Sequence, residues 1–264
     1  MTTTVAFEKA RAEGRAALVG YLPAGFPTVE GSITAMRALV DAGVDVVEVG
    51  LPYSDPLIDG PVIQAAAGAA LRAGTTTPDV LRVVEAVAAT GAQAVVMSYW
   101  NPLARYGADR FARDLAAAGG AGVITPDLTP DATDEWITPA REHDLDTVFL
   151  VAPSSTDERI AMTTAACRGF VYATSVMGVT GTREQVGDAA AVLVERTRHT
   201  TALPICVGLG VSNADQAAEI AGFADGVVVG SAFVRRMLEA DDDAAGVAAV
   251  AELAGSLAEG VRRR

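Results

Sequence analysis

The sequence predicts an α/β protein, a (β/α)8 TIM barrel that forms a single domain over residues 1–264. Three observations predict this fold. The chain has 264 residues, close to the roughly 250 residues of a typical barrel of this kind. Eight short, apolar, strand-like runs alternate with alanine-rich segments of helical period. No linker or shift in composition divides the chain, although an open, doubly wound sheet remains the structural alternative.

The eight predicted strands are continuous apolar runs rather than alternating ones, which is typical of parallel strands buried on both faces. They lie at residues 17–22, 46–49, 94–98, 122–124, 147–151, 169–173, 203–207 and 226–229. The second and third are separated by the longest stretch of chain. We expect a long loop there, on the C-terminal face where barrel enzymes carry their chemistry.

Helical periodicity is clearest at residues 33–42, 80–89, 110–118 and 216–221. We also expect an extra N-terminal helix before the first strand and a short phosphate-binding helix after the eighth. Three helix starts are predicted from capping signals: Thr77 before Pro78, Thr182 with Gln185, and Ser212 with Asp215.

Composition and charge exclude several classes of partner and compartment. The formal net charge of −13 disfavours nucleic acid and anionic lipid, although it also serves solubility alone. Cys167 and Cys206 are far apart in apolar sequence, so we expect buried thiols in a reduced, cytoplasmic protein. The N-terminus lacks the apolar core of a signal peptide, and no apolar run is long enough to span a membrane.

Glycine-bearing turns follow the last three predicted strands and indicate a phosphate site. They are residues 178–181 (GVTG), residues 208–210 (GLG) and Gly230-Ser231. Glycine lets backbone N–H groups approach an anion, and the third turn opens an apolar helical segment whose N-terminus favours negative charge. Barrels of this fold often bind phosphate at these loops, but strand ends also need plain turns.

The densest cluster of chemistry is residues 46–64, VVEVGLPYSDPLIDGPVIQ. Glu48 lies within a run of valines, so we expect its side chain to point into the barrel, where burial raises a carboxyl pKa toward values useful for proton transfer. A core acid paired with arginine is the alternative. Asp55 and Asp59 follow in a proline-stiffened loop, and a second acid there suggests two carboxylates with separate acid–base roles.

These residues resemble the alpha subunit of tryptophan synthase. The segment EVGLPYSDPLIDGPVIQ (48–64) is similar to that family's second strand and loop. Further similar motifs follow the family's order along nearly the whole chain: GYLPAGFP (20–27), MSYWNPLARYG (97–107), TPDLTPD (125–131), FLVAPSSTDERI (149–160), YATSVMGVTGTR (172–183) and VGLGVSN (207–213).

The resemblance implies cleavage of indole-3-glycerol phosphate to indole and glyceraldehyde 3-phosphate, in tryptophan biosynthesis. It implies that Glu48 is the general acid and base, and that Asp59 hydrogen-bonds the indole N–H. The other implied substrate-binding residues are Tyr21 and Tyr99 in the indole pocket, Tyr172 and Thr180 near the carboxylates, and Gly181, Gly210, Gly230 and Ser231 at the phosphate.

The scarcity of lysine and histidine agrees with catalysis by carboxylates. Lys9 is the only lysine and precedes the first predicted strand, where a Schiff base is badly placed. His143 and His199 lie in helix or loop sequence, so we expect surface residues and no metal site. Another phosphate-barrel enzyme, such as an isomerase or an indole-glycerol-phosphate synthase, and a non-catalytic barrel that activates a partner remain the alternatives.

The resemblance also implies a partner, because the family works as an α2β2 heterotetramer with a pyridoxal-phosphate beta subunit. We therefore expect no cofactor in this chain. The family places the contact near Asp55-Pro56 and Asn101-Pro102. The sequence departs from the family pattern at Ile58, at Val176 and in the first strand at Tyr21-Leu22-Pro23, which bears on substrate contacts and loop closure.

Overall fold

The computed structural model describes residues 2–132, 134–174, 183–208 and 210–263. Within them, nine parallel strands form one sheet in the order β5-β4-β3-β2-β1-β9-β8-β7-β6. Only Phe149 separates β5 from β6, so the two ends of the sheet meet in one interrupted strand and close a TIM barrel of eight strand positions. The strands are β1 Ala17–Pro23, β2 Val46–Gly50, β3 Gln93–Met97, β4 Gly122–Ile124, β5 Asp146–Val148, β6 Leu150–Val151, β7 Val171–Thr174, β8 Ile205–Gly208 and β9 Gly226–Val229.

Helices follow the strands and cover the outside of the barrel, which confirms the predicted fold. The predicted N-terminal helix and the short helix after the last strand are both present. In the described residues the helices are α1 Thr4–Ala12, α2 Val29–Asp41, α3 Pro61–Arg72, α4 Thr77–Ala88, α5 Trp100–Tyr106, α6 Ala108–Ala117, α7 Asp134–Glu142, α8 Asp157–Ala166, α9 Arg183–Arg198, α10 Ala214–Ala221, α11 Ser231–Leu238 and α12 Asp243–Gly260, with a 3-10 turn at Pro130–Ala132.

The long stretch between β2 and β3 is only partly the loop that the sequence predicted. Residues 51–60 form a loop at the carboxyl end of β2, and the rest of the extra chain is helix α3, which precedes α4. Pro61 is at the first position of α3, where its missing N–H costs no hydrogen bond. The loop is therefore short and ends in a rigid helix.

Two predicted helix caps are each wrong by one residue. Thr76, not Thr77, caps α4, because the Asp79 carboxylate accepts bonds from both the N–H and the hydroxyl of Thr76. Asn213, not Ser212, caps α10, since its side chain accepts from the Gln216 N–H at 3.0 Å. In both cases a residue next to the predicted one had the better geometry. Thr182 lies outside the described residues.

Small and apolar side chains fill the interior of the barrel. They alternate along the strands with the side chains that face the helices, and the buried interior set includes Val19, Val46, Val95, Ile124, Val148, Phe170, Cys206 and Val228. Helix α1 covers the amino-terminal end of this interior column of buried side chains. Phe7 packs on Phe170 with ring centroids 5.4 Å apart, and both the N–H and the hydroxyl of Thr3 donate to Asp146 at 2.7 Å.

The remaining expectations about single residues are largely met. Cys167 and Cys206 are both buried thiols, as predicted. His199 is exposed, whereas His143 is only partly exposed and lies 3.8 Å from Asp109. Among the residues that the structure covers, no helix has both the length and the apolar character needed to cross a membrane.

Candidate active site

Glu48 lies in the middle of β2 with its side chain inside the barrel, as predicted. Its register partners are Tyr21 on β1 and Val95 on β3, and Val46, two residues earlier, belongs to the interior column. Glu48 is 2% exposed, and its Oε1 atom has no hydrogen-bond partner among the described residues. Burial raises the pKa of Glu48 to about 8, so this carboxyl group is mostly neutral at pH 7.

The alternative of a core acid paired with arginine does not fit the described part of the chain. No cation there lies within salt-bridge distance of Glu48, although Arg15 does form such a pair with Asp45 at 2.6 Å. A buried acid without a cation or a full set of hydrogen bonds is costly to a fold. Glu48 therefore has the features expected of a functional group rather than a structural one.

Two buried tyrosines, Tyr21 and Tyr172, interact electrostatically with the Glu48 carboxyl group. A Cβ atom added to Gly50, the last residue of β2, would overlap the phenol of Tyr21, and one added to Gly208 would lie 2.6 Å from the Tyr172 hydroxyl. Each phenol therefore rests on a strand-end glycine. Burial raises the pKa of both tyrosines, and the nearby charge of Glu48 raises it further.

Asp59 lies at the end of the loop that follows β2, and it is half-buried. Burial raises its pKa, while a hydrogen bond with the Tyr99 side chain acts in the opposite direction. The charge of Asp59 also raises the pKa of Tyr21, as does that of Glu48. The two carboxyl groups, one in β2 and one in the loop that follows it, thus both act on the phenol of Tyr21.

The loop that carries Asp59 is held by side chains on both sides. Gln64 of α3 donates its amide N–H to the Asp59 carbonyl at 2.7 Å. On the other side, the rings of Tyr53 and Tyr99 pack with centroids 5.3 Å apart, and Asn101 donates to the Tyr53 hydroxyl at 3.1 Å. Asp59 is therefore fixed at the mouth of the barrel, whereas Asp55 in the same loop is exposed.

The predicted phosphate residues are partly described. Gly230 precedes α11, so Ser231 and Ala232 are its first residues, and such positions have N–H groups without partners inside the helix. A Cβ on Gly230 would lie 3.5 Å from Tyr21, which places this helix start beside the Tyr21 side chain. Gly210 adopts a φ of 64°, a conformation that favours glycine. Thr180, Gly181 and Val176 lie outside the described residues.

The described candidates therefore come from six strands and the loops that follow them, β1, β2, β3, β7, β8 and β9. Lys9 lies on α1 at the opposite end of the barrel. In the ranges that the structure describes, no group of histidine, cysteine and acidic side chains could hold a metal ion.

Gly50 and Gly208 leave room for the phenols of Tyr21 and Tyr172, a role that the sequence did not predict. The available signal was a glycine at a strand end beside a strand that carries a tyrosine. The resemblance assigned Tyr99 to the indole pocket, but it did not predict the contacts of Tyr99 with the loop after β2.

A parallel (β/α)8 barrel with one buried acid and a second, loop-held acid at the carboxyl ends of its strands is typical of an acid–base barrel enzyme. A family model described as "Tryptophan synthase alpha chain" matches residues 7–262. A tryptophan synthase alpha chain from Acidothermus cellulolyticus is 62% identical over 258 residues, which are 98% of this chain and 96% of that protein.

Solved structures agree with this match. A tryptophan synthase chain from Mycobacterium tuberculosis superposes with a TM-score of 0.92 at 55% identity, over 98% of each chain. Tryptophan synthase subunit alpha from Legionella pneumophila gives a TM-score of 0.89 at 30% identity, over 99% of this chain and 98% of that one. The chain belongs to the tryptophan synthase alpha chain family, lyases that cleave indole-3-glycerol phosphate in tryptophan biosynthesis.

Proposed function

We propose that this chain cleaves indole-3-glycerol phosphate by a retro-aldol reaction in which Glu48 is the general acid and base and Asp59 is its charged partner. The products are indole and glyceraldehyde 3-phosphate. The observation that carries this proposal is the buried carboxyl group of Glu48, which has no cation within salt-bridge distance among the described residues and has a pKa raised to about 8. Such a group can both give and take a proton near neutral pH.

Carbon–carbon cleavage needs an acceptor for the electron pair of the breaking bond, and the protonated indole ring supplies one. Neutral Glu48 first gives its proton to the ring carbon that carries the glycerol chain. The resulting carboxylate then takes the proton of the adjacent glycerol hydroxyl. As the carbon–carbon bond breaks, its electrons return to the ring, the hydroxyl carbon becomes the aldehyde, and Glu48 is neutral again.

Asp59 supports this step through charge. Once the ring carbon is protonated, positive charge develops at the indole nitrogen, and an ionised Asp59 that accepts a hydrogen bond from the indole N–H stabilises it. Tyr21, Tyr99 and Tyr172 each interact electrostatically with one or both acids and would supply aromatic surface for the indole ring.

The phosphate of the substrate would bind at the amino-terminal end of α11. Gly230 and Ser231 are at that helix start, and Gly210 follows β8 on the same face of the barrel. The resemblance adds Gly181 to this site and gives Thr180 the role of holding the Asp59 loop. Anchoring the phosphate there would align the glycerol chain between the phosphate site and Glu48.

A synthase or aldolase that forms a Schiff base is the weaker candidate. Such enzymes need a lysine at the carboxyl ends of the strands, and the one lysine of this sequence, Lys9, lies on α1 at the other end of the barrel. The carboxylate mechanism needs no lysine and no metal.

The family also supports a partner. We propose that the chain assembles with a tryptophan synthase beta subunit into an α2β2 complex, in which the beta subunit carries pyridoxal phosphate, and that it works in the cytoplasm. Asp55-Pro56 and Asn101-Pro102 would lie at the contact. Leu57 is 76% exposed and Ile58 is 45% exposed, and apolar side chains of this kind are suited to an interface.

The test is a spectrophotometric assay of indole-3-glycerol phosphate cleavage, with and without a beta subunit. We expect Glu48→Gln to abolish indole release and Asp59→Asn to be nearly as damaging, while calorimetry still detects binding of the substrate to Glu48→Gln. Turnover like that of the wild type in either variant would exclude the mechanism. A wild-type chain that binds the substrate, never cleaves it, but still activates a beta subunit would favour a non-catalytic barrel.

A further inference from the structure

One hydroxyl group holds two consecutive residues of the loop after β2 and lies near the side chain of the third, Asp59. The Tyr99 oxygen accepts the backbone N–H of Leu57 at 3.1 Å and that of Ile58 at 3.0 Å, and the phenol interacts with the Asp59 side chain strongly enough to oppose the effect of burial on the Asp59 pKa. A phenol has one proton and two lone pairs. With two N–H groups donating to it, Tyr99 has only its proton left to donate, and the Asp59 carboxylate is a nearby acceptor for that proton.

Tyr99 is itself firmly placed. It is 4% exposed and lies directly before α5, just after β3 ends. Its carbonyl accepts the Ser98 hydroxyl at 2.8 Å, and the next residue, Trp100, donates its N–H to Asp127 at 3.0 and 3.1 Å. The phenol is therefore fixed in place, and it extends from the end of β3 to the loop that follows the neighbouring strand, β2.

Gln64 also holds the Asp59 carbonyl, but the side chains of the two residues before Asp59 contribute little to the position of the loop. The side chains of Leu57 and Ile58 are largely in solvent, so apolar packing contributes little to the position of the segment. Two backbone N–H groups that point inward need an acceptor, and Tyr99 provides it. Contacts of this kind fix both the path of the loop and the direction of the Asp59 carboxylate.

We propose that Tyr99 is a positioning residue that acts through Asp59: its hydroxyl clamps residues 57–59 and aims the Asp59 carboxylate at the indole N–H of the substrate. This inference rests on the proposed function, and it gives Tyr99 a role beyond lining the indole pocket. Loss of the hydroxyl would remove a donor that stabilises ionised Asp59 and leave two N–H groups without their acceptor. The Asp59 pKa would then rise further above its usual range, since burial would act unopposed.

Two other titratable groups act near Asp59, and both keep their protons at acid pH. Tyr21 on β1 interacts with it electrostatically, and the pKa of that phenol is raised well above its ordinary value. Glu48 on β2 acts on the same phenol and is neutral until about pH 8. A titration on the acid side that Asp59→Asn removes therefore reports Asp59.

The experiment compares Tyr99→Phe with Tyr106→Phe, a matched control whose hydroxyl donates to Asp114 at 2.8 Å, away from the loop. The isolated chain is assayed for indole release across pH 4 to 10. For Tyr99→Phe we expect kcat to fall about tenfold to a hundredfold, as for a lost hydrogen bond to a charged group, and the acid limb of kcat/KM to move to higher pH. Tyr106→Phe should leave both unchanged.

A second readout needs no activity. Carbon-13 NMR of labelled aspartate, assigned with Asp59→Asn, gives the Asp59 titration directly in both proteins. A higher midpoint in Tyr99→Phe supports the proposal. If the Asp59 midpoint and the acid limb of kcat/KM are unchanged and only KM increases, the proposal is overturned. Tyr99 then only lines the indole pocket. If Asp59→Asn keeps full turnover, the proposed function fails instead, which is a separate result.

Discussion

Tyr21 and Glu48 are direct partners in the parallel ladder between β1 and β2, and the Tyr21 phenol lies over Gly50, two residues after the acid. In a parallel pair, partners in register project to the same face of the sheet. The carboxyl group and the phenol therefore enter the barrel at one level. As a result, the buried carboxyl group of Glu48, whose pKa is raised by that burial, lies at the same height in the barrel as an aromatic surface on which an indole ring can lie.

The raised pKa of Glu48 predicts the alkaline limit of activity. The first step uses the neutral acid, and its pKa of about 8 in the free protein means that this form disappears as the pH rises past 8. We expect kcat/KM to decline tenfold per pH unit above that point, because kcat/KM reports the groups of the free enzyme. Steady-state assays between pH 6 and 10 measure it, and a profile that stays flat to pH 10 would contradict the assignment.

The same pKa predicts how stability depends on pH. An unfolded glutamate loses its proton near pH 4.5, whereas folded Glu48 keeps it until about pH 8. Between these values the folded state binds one more proton, so the contribution of Glu48 to the free energy of unfolding falls as pH rises, and its full cost is reached above pH 8.

Glu48→Gln removes this titration. We therefore expect the variant to gain stability relative to the wild type between pH 5 and 9, by on the order of a few kcal/mol. Urea denaturation of both proteins at pH 5 and pH 9 measures the difference, in which all other titrating groups cancel. A difference that is the same at both pH values would show that Glu48 is ionised throughout, and thus not the acid of the first step.

The fold was largely predictable because the strands carry their own signal. Valine-rich runs at β2, β3 and β9 identify buried parallel strands from composition alone. The ends of helices were less predictable: Thr76 and Thr77 are chemically equal, and only the position of Asp79 relative to the backbone decides which of them caps α4.

The site was predictable where it depends on alternation along one strand, as for Glu48. It was not predictable where it depends on contacts between segments far apart in sequence. Tyr99 reaches Leu57 and Ile58 across some 40 residues, and neither segment shows this contact by itself. The positions of Gly50 and Gly208 under their tyrosines are likewise consequences of barrel closure.

Gly50→Ala tests the importance of the Tyr21 position. A methyl group at Gly50 would overlap the Tyr21 ring, whose Cε2 and Cζ atoms would be 2.6 and 2.7 Å away, so the ring must move. A displacement of about 1 Å in an active site reduces catalysis by about 100-fold, and we expect a loss of kcat/KM approaching that size. The control is Gly255→Ala on α12, where an added Cβ meets nothing within 4 Å.

A double-mutant cycle gives that test its specificity. If the effect of Gly50→Ala comes from moving Tyr21, it should largely disappear in a Tyr21→Ala background, because no ring is left to displace. Additive losses from the two substitutions would mean that the methyl group acts by another route, such as a shift of the β2 backbone.

The amino-terminal end of the barrel provides the opposite case, in which stability changes and catalysis does not. Thr3 donates both its N–H and its hydroxyl to the buried Asp146 carboxylate at 2.7 Å, and this contact ties the start of α1 to the first residue of β5. Thr3→Val keeps the shape and the N–H but removes the hydroxyl, so we expect a loss of about 1–3 kcal/mol in the free energy of unfolding.

Since the site lies at the other end of the strands, kcat and KM for indole release should stay within a factor of two at 25 °C. Urea denaturation and the indole assay on one preparation measure both quantities, and a parallel fall in kcat would show that the two ends of the barrel are coupled.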